Sequence, residues 1–333
     1  MQRCFLDLVG GTPIVHLGAQ RRAPRRPVNL FAKLEFYNPT GSIKDRPAAY
    51  ILRRLRSSGE IADGSTVIES SSGNFGVALA AACRSAGLRF VCVVDPLLLR
   101  PNEYLLEQLG ATIVKVTRPD ENGGYLKARL RKVEELRQEI AGSFWVNQYG
   151  NRHNADAHYF GTGFEIYTAF RDVGLDYAFI PVSSGGTITG VSRILKEHFP
   201  AVKIIAVDTS GSVIFGGRPR KRYVPGMGSS IVPEILADAR IDDVFCVHEE
   251  DMIDGCMELL KDHGLFVGAS SGAAYFAAKQ YFRYPTDDEG TRDGRASDRS
   301  LNVVMTFADR GERYMTTVYS REWTMRTYPE CSR

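Results

Sequence analysis

The sequence predicts an α/β fold of mostly parallel sheets covered by helices. Two observations support this. Short apolar runs alternate with helical patterns through most of the 333 residues, and glycine-rich turns stand where several of the apolar runs end. Helices of about 10–15 residues between short apolar strands are typical of βαβ units, whose sheets are buried on both faces. With 44% hydrophobic and 24% charged residues, the composition excludes disorder and a small disulfide scaffold.

The elements follow one another regularly along the chain. Strands are predicted at 66–69, 90–94, 113–116, 177–182, 203–207 and 301–306. Helices are predicted at 47–56, 77–86, 102–110, 125–140, 163–170, 191–198, 251–263 and 272–281. Residues 19–27 and 284–300 are predicted as polar loops, and the residues after Trp323 as a tail.

Charge and cysteine usage narrow the class of protein. The net charge of +3 provides no general field for nucleic acid or an anionic membrane. The six cysteines form no CxxC pair, the N-terminus has no signal-peptide pattern, and no apolar run approaches the ~18 residues of a membrane span. His153 and His158 are five residues apart instead of the four of a helical metal pair, so we predict no metal site. A reduced, cytoplasmic protein is expected.

A lysine stands at the start of a predicted helix, where its charge is unfavourable. In NPTGSIKDRPA, the first four residues predict a turn, Ser42 is a candidate N-cap, and Lys44 falls in the first helical turn. The helix dipole favours cations at the opposite end. A lysine held there in an apolar site loses its proton and becomes a nucleophile. Alternatively, Lys44 is an exposed lysine paired with Asp45 or Glu35.

Two glycine-rich turns each join a predicted strand to a predicted helix. ESSSGNFG contains Ser71, Ser72, Gly73 and Asn74, and VSSGGTITG contains residues 183–187. Small residues let the backbone approach a ligand, and the N–H groups at a helix start favour an anion. A plain serine N-cap with a packing glycine is the alternative for the first turn.

The second turn also allows a dinucleotide-binding interpretation. It is followed by a helix, a strand and then Asp208, an acid at about the distance found in nicotinamide-binding units. Its glycines are spaced GGxxxG instead of GxGxxG, which counts against that interpretation. A third turn, VGASSGAA, contains Ser270 and is explained by packing when considered alone.

In this order, NPTGSIKDRPA, SSSGNFG, SSGGTITG and VGASSGAA resemble the fold-type II pyridoxal-phosphate enzymes, the cysteine synthase and cystathionine β-synthase family. The resemblance extends from about residue 8 to about residue 320. It implies a two-domain, tryptophan synthase β-like fold. Residues 1–41 and 149–333 would form a larger domain that anchors the cofactor, and residues 42–148 a smaller mobile domain. It also implies a homodimer.

The resemblance assigns a role to each motif. Lys44 is implied as the Schiff-base lysine for pyridoxal 5'-phosphate, Asn74 as the partner of its phenolic oxygen, and Ser270 as the neighbour of its pyridine nitrogen. The cofactor phosphate is implied to bind Ser183, Ser184, Gly185, Gly186 and Thr187, and the substrate carboxylate to bind Ser71, Ser72, Gly73 and Gln148. Cysteine synthases usually carry GTGGT where this chain has Ser183 and Ser184 in the first two positions.

Within the family, the chain resembles most closely the synthases that join O-phospho-L-serine to L-glutamate and release phosphate. The stretches that carry this closer match are KLEFYNPTGSIKDRPA, CVVDP, ENGGYLKARLRKV, WVNQYGN, GSVIFG, VPGMGSSIVPEIL and ADRGERYMTTVYS. Their product, N-(2-amino-2-carboxyethyl)-L-glutamate, is a precursor of 2,3-diaminopropionate for siderophores and peptide antibiotics. Elimination to an aminoacrylate and addition at Cβ are implied, with Lys44 as the base. A neutral Ser270 at the pyridine nitrogen favours elimination over transamination.

The sequence leaves the substrate contacts open. Arg129, in GGYLKAR, and Tyr149 are candidates to bind the substrate's phosphate or carboxylate. Alternatively, Arg129 is an exposed arginine paired with Glu134 or Glu135. The basic run 218–222 is a further phosphate candidate or a solvated loop. A cysteine synthase using sulfide, a nicotinamide-dependent dehydrogenase and a non-catalytic binding protein remain as alternative functions.

Overall fold

A computed structural model describes residues 4–20, 26–120, 124–283 and 299–329. These ranges contain strands β1 (Ile14–Gln20), β2 (Val28–Leu34), β3 (Thr66–Ser70), β4 (Arg89–Val94), β5 (Thr112–Lys115), β6 (Phe144–Trp145), β7 (Tyr177–Pro181), β8 (Lys203–Thr209), β9 (Asp243–Val247) and β10 (Leu301–Phe307). The helices are α1 (Asp45–Ser57), α2 (Asn74–Ser85), α3 (Arg100–Gln108), α4 (Leu126–Glu139), α5 (Arg152–His158), α6 (Phe164–Phe170), α7 (Gly186–His198), α8 (Glu249–His263), α9 (Ala269–Tyr281) and α10 (Arg321–Thr327). The predicted α/β class is confirmed.

The larger sheet has six strands in the order β1-β2-β10-β7-β8-β9, and β1 alone runs antiparallel to its neighbour. Its central strands are buried on both faces because their side chains alternate between two cores. Phe179 of β7 packs with α8 and α9, whereas the next residue, Ile180, packs on the other face with α6 and α7. This alternation explains why β7 and β8 are continuous apolar runs in the sequence.

The smaller sheet has four parallel strands in the order β5-β4-β3-β6. It is covered in the same way, since Val67 of β3 packs with α1 and α2 while Ile68 packs with α4. Because parallel strands end at the same edge, the loops after β3 and β6 are brought together. The carboxyl ends of parallel strands are where α/β proteins place their ligand sites.

Three helices begin earlier than predicted, inside the glycine-rich turns. The predicted starts are residues 77, 191 and 272, whereas α2, α7 and α9 begin directly after Gly73, Gly185 and Gly268. Glycine and serine lower helix propensity, which hides a helix start from a propensity-based prediction. The motif residues therefore lie in the first turns of helices, where backbone N–H groups have no intrahelical partner.

Other differences concern the ends of the chain and the short elements. The prediction of a tail after Trp323 is wrong, because α10 extends through this region and the Ser320 side chain accepts a hydrogen bond from the Trp323 N–H at its start. Most of the predicted loops 19–27 and 284–300 lies outside the described residues. Strands β1, β2, β6 and β9 and helix α5 were not predicted. In the described ranges, no helix has the length and apolar character that crossing a membrane requires.

Candidate active site

Lys44 occupies the N-cap position of α1, one residue before the helical turn in which it was predicted. Ser42, the predicted N-cap, instead accepts a hydrogen bond from the Lys44 N–H at 3.3 Å. The first helical residue, Asp45, accepts from the Thr40 N–H at 2.7 Å, which fixes the turn ahead of the helix. The lysine side chain is thus presented by a rigid helix start.

The surroundings of Lys44 favour its neutral form. Its Nζ donates a hydrogen bond to Ser184 Oγ at 3.4 Å, and both residues line the same cavity. Burial lowers the pKa of Lys44 to about 8, and the negative charge of Asp309 opposes that shift. The alternative partners are engaged elsewhere, because Asp45 binds Thr40 and Glu35 binds Arg46 at 2.6 Å. The interpretation of Lys44 as an exposed, paired lysine is therefore wrong.

One cavity joins the motifs that lie far apart in the sequence. Its lining includes residues predicted to hold the cofactor: Lys44, Asn74, Ser183, Ser184, Gly185, Gly186, Thr187 and Ser270. Ala308 and Asp309, which follow β10, complete the wall next to Lys44. All four motifs that carry the family resemblance thus meet at one place. We call the predicted cofactor residues in this lining the cofactor wall.

The loop between β7 and α7 is shaped as an anion cradle. Gly185 has a φ of +84°, which favours glycine, and α7 begins at the next residue. A Cβ on Gly186 would lie 2.2 Å from Asn154 Oδ1, so only glycine fits there. Thr187 Oγ1 lies 3.3 Å from Nε2 of His158, a buried histidine whose pKa is lowered by burial. Hydroxyls and helix-start N–H groups are donors suited to a phosphate, which fits pyridoxal phosphate.

The predicted carboxylate loop, residues 71–73, lies beside a second set of polar side chains. Ser71 Oγ accepts from the Gly76 N–H at 3.0 Å, which leaves its own hydroxyl hydrogen to donate. Ser72 Oγ donates to Asp95 Oδ2 at 3.1 Å. Gln148 Nε2 donates to the Ser70 carbonyl at 3.1 Å, and this contact ties the end of β6 to the loop. These residues form what we call the substrate wall, together with Gly73, Arg129 and Tyr149.

Arg129 points from α4 into the substrate wall. Its Nη1 donates to Ser72 Oγ at 2.9 Å, and its Nε lies 3.2 Å from Asp95 Oδ2 without hydrogen-bond geometry. The side chain is only 13% exposed. The interpretation of Arg129 as a surface arginine is wrong, since Glu134 pairs with Arg137 instead.

The Tyr149 hydroxyl is influenced by the positive charges of two arginines. Burial raises the pKa of its hydroxyl, whereas the positive charges of Arg129 and Arg222 act in the opposite direction. Arg222 belongs to the basic run 218–222 and carries a buried Nη1 without a hydrogen-bond partner. One arginine of that run thus approaches the substrate wall.

Sequence reasoning missed several residues that support the site. Asp309 and Arg313 are the main ones, and the sequence signal for them was the stretch ADRGERY, which was noted only for its similarity to the family. Asp95 lies in CVVDP, a stretch that carries the family resemblance but to which no role was assigned, and Asn154 gave no signal, because single polar residues in a helix are common. Asp208, the acid of the dinucleotide interpretation, is buried and accepts from the Thr209 N–H at 2.8 Å.

Comparisons with known proteins agree with this geometry. The family model for pyridoxal-phosphate dependent enzymes matches residues 5–289. N-(2-amino-2-carboxyethyl)-L-glutamate synthase of Ralstonia nicotianae is 44% identical over 97% of this chain and 91% of its own length. Among solved structures, the O-acetylserine dependent cystathionine β-synthase of Helicobacter pylori has a TM-score of 0.83 at 30% identity, covering 96% of this chain and 99% of that chain. An O-ureido-L-serine synthase has a TM-score of 0.82 at 28% identity, covering 95% and 94%.

Proposed function

The chain belongs to the pyridoxal-phosphate-dependent enzyme family and is a β-replacement synthase, and from this premise we propose that it joins O-phospho-L-serine to L-glutamate. The products are N-(2-amino-2-carboxyethyl)-L-glutamate and inorganic phosphate. The observation that carries the choice of phosphoserine is the position of Arg129, whose guanidinium reaches the loop 71–73. The printed name of the Ralstonia relative supports glutamate as the second substrate.

Lys44 is proposed as the residue that binds the cofactor and moves the substrate proton. When bound, pyridoxal phosphate supplies an electron sink for the electron pair left at the substrate Cα. Because the pKa of Lys44 Nζ is about 8, about half of this group is neutral at that pH and can act as a base. It takes the Cα proton when the phosphate leaves Cβ, and it returns the proton to Cα after the glutamate nitrogen has bonded to Cβ.

The remaining residues of the cofactor wall are proposed to orient the cofactor. Residues 183–187 hold its phosphate through hydroxyls and backbone N–H groups, because the start of α7 offers unpaired donors there. Ser270, in the first turn of α9, faces the pyridine nitrogen as a neutral partner, and Asn74 meets the phenolic oxygen. None of these roles requires a metal ion.

The substrate wall is proposed to discriminate between amino acids. Ser71, Ser72 and Gln148 bind the α-carboxylate, and Arg129 binds the phosphate, assisted by the Tyr149 hydroxyl. A guanidinium forms paired hydrogen bonds with a phosphate, and the partly buried site strengthens them. Asp95 supports this role, since its carboxylate lies against both Arg129 and Ser72 and fixes their positions.

Domain movement, oligomeric state and location complete the proposal. Residues 42–148 form a smaller domain that closes over the substrate and excludes water.

The enzyme acts as a homodimer in the cytoplasm, where its buried, unbridged Cys83, Cys92 and Cys256 are compatible with a reducing environment. Light scattering on the cofactor-loaded protein tests the dimer, for which twice the chain mass is expected.

A sequential spectral titration tests the substrates. In one sample of the resting protein, sodium borohydride should fix the cofactor on Lys44, as peptide mass analysis can show. In a separate, unreduced sample, phosphoserine alone should change the visible absorption, and glutamate should restore the resting spectrum. If sulfide restores it and glutamate does not, the enzyme is the cysteine synthase that the sequence left as an alternative.

A further inference from the structure

The amide of Asn74 is held between two charged side chains that follow β10. Its Nδ2 donates to Asp309 Oδ2 at 2.7 Å, and its Oδ1 accepts from Arg313 Nη1. A carboxylate only accepts and a guanidinium only donates, so the two ends of the amide cannot exchange places. One N–H of Nδ2 is used by Asp309, and the second remains for the cavity that Asn74 lines.

Both arms of this clamp are fixed by further contacts. Asp309 is fully buried, and its Oδ2 also accepts from the Tyr314 hydroxyl at 2.7 Å. Arg313 donates through Nη2 to the Thr40 carbonyl at 2.7 Å, in the turn that precedes Lys44. The clamp therefore links the segment after β10 to α2 and to the turn before α1.

The second carboxylate oxygen of Asp309 explains a glycine of the third motif. Asp309 Oδ1 is buried without a hydrogen-bond partner, and a Cβ on Gly268 would lie 1.9 Å from it. Gly268 also donates its N–H to the Asp309 carbonyl at 2.9 Å. A side chain at position 268 would push the carboxylate away from Asn74, so the glycine keeps the clamp in place.

We propose that Asp309 and Arg313 are positioning residues that orient Asn74 so that an amide N–H, and not its carbonyl, faces the phenolic oxygen of pyridoxal phosphate. This inference rests on the proposed function, in which Asn74 meets that oxygen. If the Asn74 amide could rotate by 180°, its carbonyl oxygen would face the electron-rich phenolic oxygen, and the two oxygens would repel each other. The negative charge of Asp309 also acts on Lys44, since it raises the pKa of the lysine against the larger, opposite effect of burial.

The test measures cofactor binding and colour in the absence of substrate. Asp309→Ala should weaken pyridoxal phosphate affinity by about tenfold or more and shift the visible absorption maximum, because a charged hydrogen-bond partner of Asn74 is lost. Asp309→Asn should restore much of both values, since its amide oxygen can still accept from Asn74. Arg313→Met, which removes the other arm, should shift the spectrum in the same direction and serves if Asp309→Ala does not fold.

A matched control and two outcomes make the test decisive. Asp242→Ala removes a carboxylate that binds Lys196 at the opposite end of β8, and it should leave the spectrum unchanged. Wild-type spectra and affinities in both Asp309→Ala and Arg313→Met would overturn the clamp. Failure of the wild-type protein to form a borohydride-fixed adduct on Lys44 would instead overturn the proposed function, so the two failures are distinguishable.

Discussion

The cofactor wall is shaped mainly by the backbone, whereas the substrate wall is formed mainly by side chains. The cofactor wall relies on helix starts and glycines, as in residues 183–187, where the φ of Gly185 and the contact of Gly186 with Asn154 leave little choice of residue. The substrate wall relies on side chains from separate elements, such as Ser72, Asp95 and Arg129, which meet only in the folded protein. In the proposed function, the shared cofactor chemistry would therefore depend on backbone shape, and the choice of substrate on side chains that can be exchanged.

Removing the amine from the cofactor wall should have the largest effect. Lys44→Ala should lower turnover by at least about a thousandfold, because both the covalent anchor and the base for Cα are lost. Borohydride should no longer fix the cofactor to the protein, as intact mass will show. Lys132→Ala, at a partly exposed lysine paired with Glu135, is the control and should behave as wild type. Normal turnover in Lys44→Ala would refute the role of the lysine.

Changing the backbone shape of the cofactor wall should be next in size. Gly186→Ala should cost about 3 kcal/mol of unfolding free energy, because its Cβ would collide with Asn154. Cofactor affinity should fall as well, measured by absorbance titration. Ser183→Ala, which removes only a hydroxyl bonded to the Gly228 carbonyl, should cost about 1 kcal/mol. Equal effects of the two changes would show that backbone shape does not limit this loop.

Altering the substrate wall should reduce turnover without affecting the cofactor. Arg129→Ala should lower kcat/KM for phosphoserine by about tenfold or more, because a charged partner of the substrate phosphate is lost. The resting spectrum should not change. Arg137→Ala on the same helix removes an exposed arginine paired with Glu134 at 3.0 Å, and it provides the matched control. Wild-type kinetics in Arg129→Ala would remove this arginine from the substrate site.

The smallest effect is expected from the charge of Lys44 in the cofactor-free protein. Its folded-state pKa of about 8 lies below the ordinary value of 10.5, so the unfolded chain binds more protons between these two values. Burying the charged lysine destabilises the folded protein below about pH 8. This cost should decrease as the pH rises from about 8 to 10.5, so the free energy of unfolding should increase over that range. Lys44→Met should melt a few degrees higher than wild type at pH 7, and the difference should shrink at high pH. A constant difference would contradict the lowered pKa.

The two walls also differ in how far the sequence could predict them. The residues that line the cofactor wall could be predicted from short motifs and the family resemblance that these carry, because a glycine turn, its helix and its donors are adjacent in the chain. For Arg129 the sequence left two interpretations open, a substrate contact or an exposed helical arginine. Its partners Ser72 and Asp95 are distant in sequence, and its pairing with Asp95 depends on packing. Asp309 was missed for the same reason. The fold class followed from alternating apolar runs, but short β6 and the exposed α10 have too few buried residues to leave a pattern.

The most direct test of the proposed reaction is the fate of the glutamate nitrogen. The purified, cofactor-loaded enzyme is given O-phospho-L-serine and 15N-labelled L-glutamate, and the product is analysed by mass spectrometry while phosphate is assayed. We predict one labelled nitrogen in N-(2-amino-2-carboxyethyl)-L-glutamate and one phosphate released for each product molecule. Phosphate release without a labelled condensation product, or cysteine formation from sulfide while glutamate is left unchanged, would contradict the account.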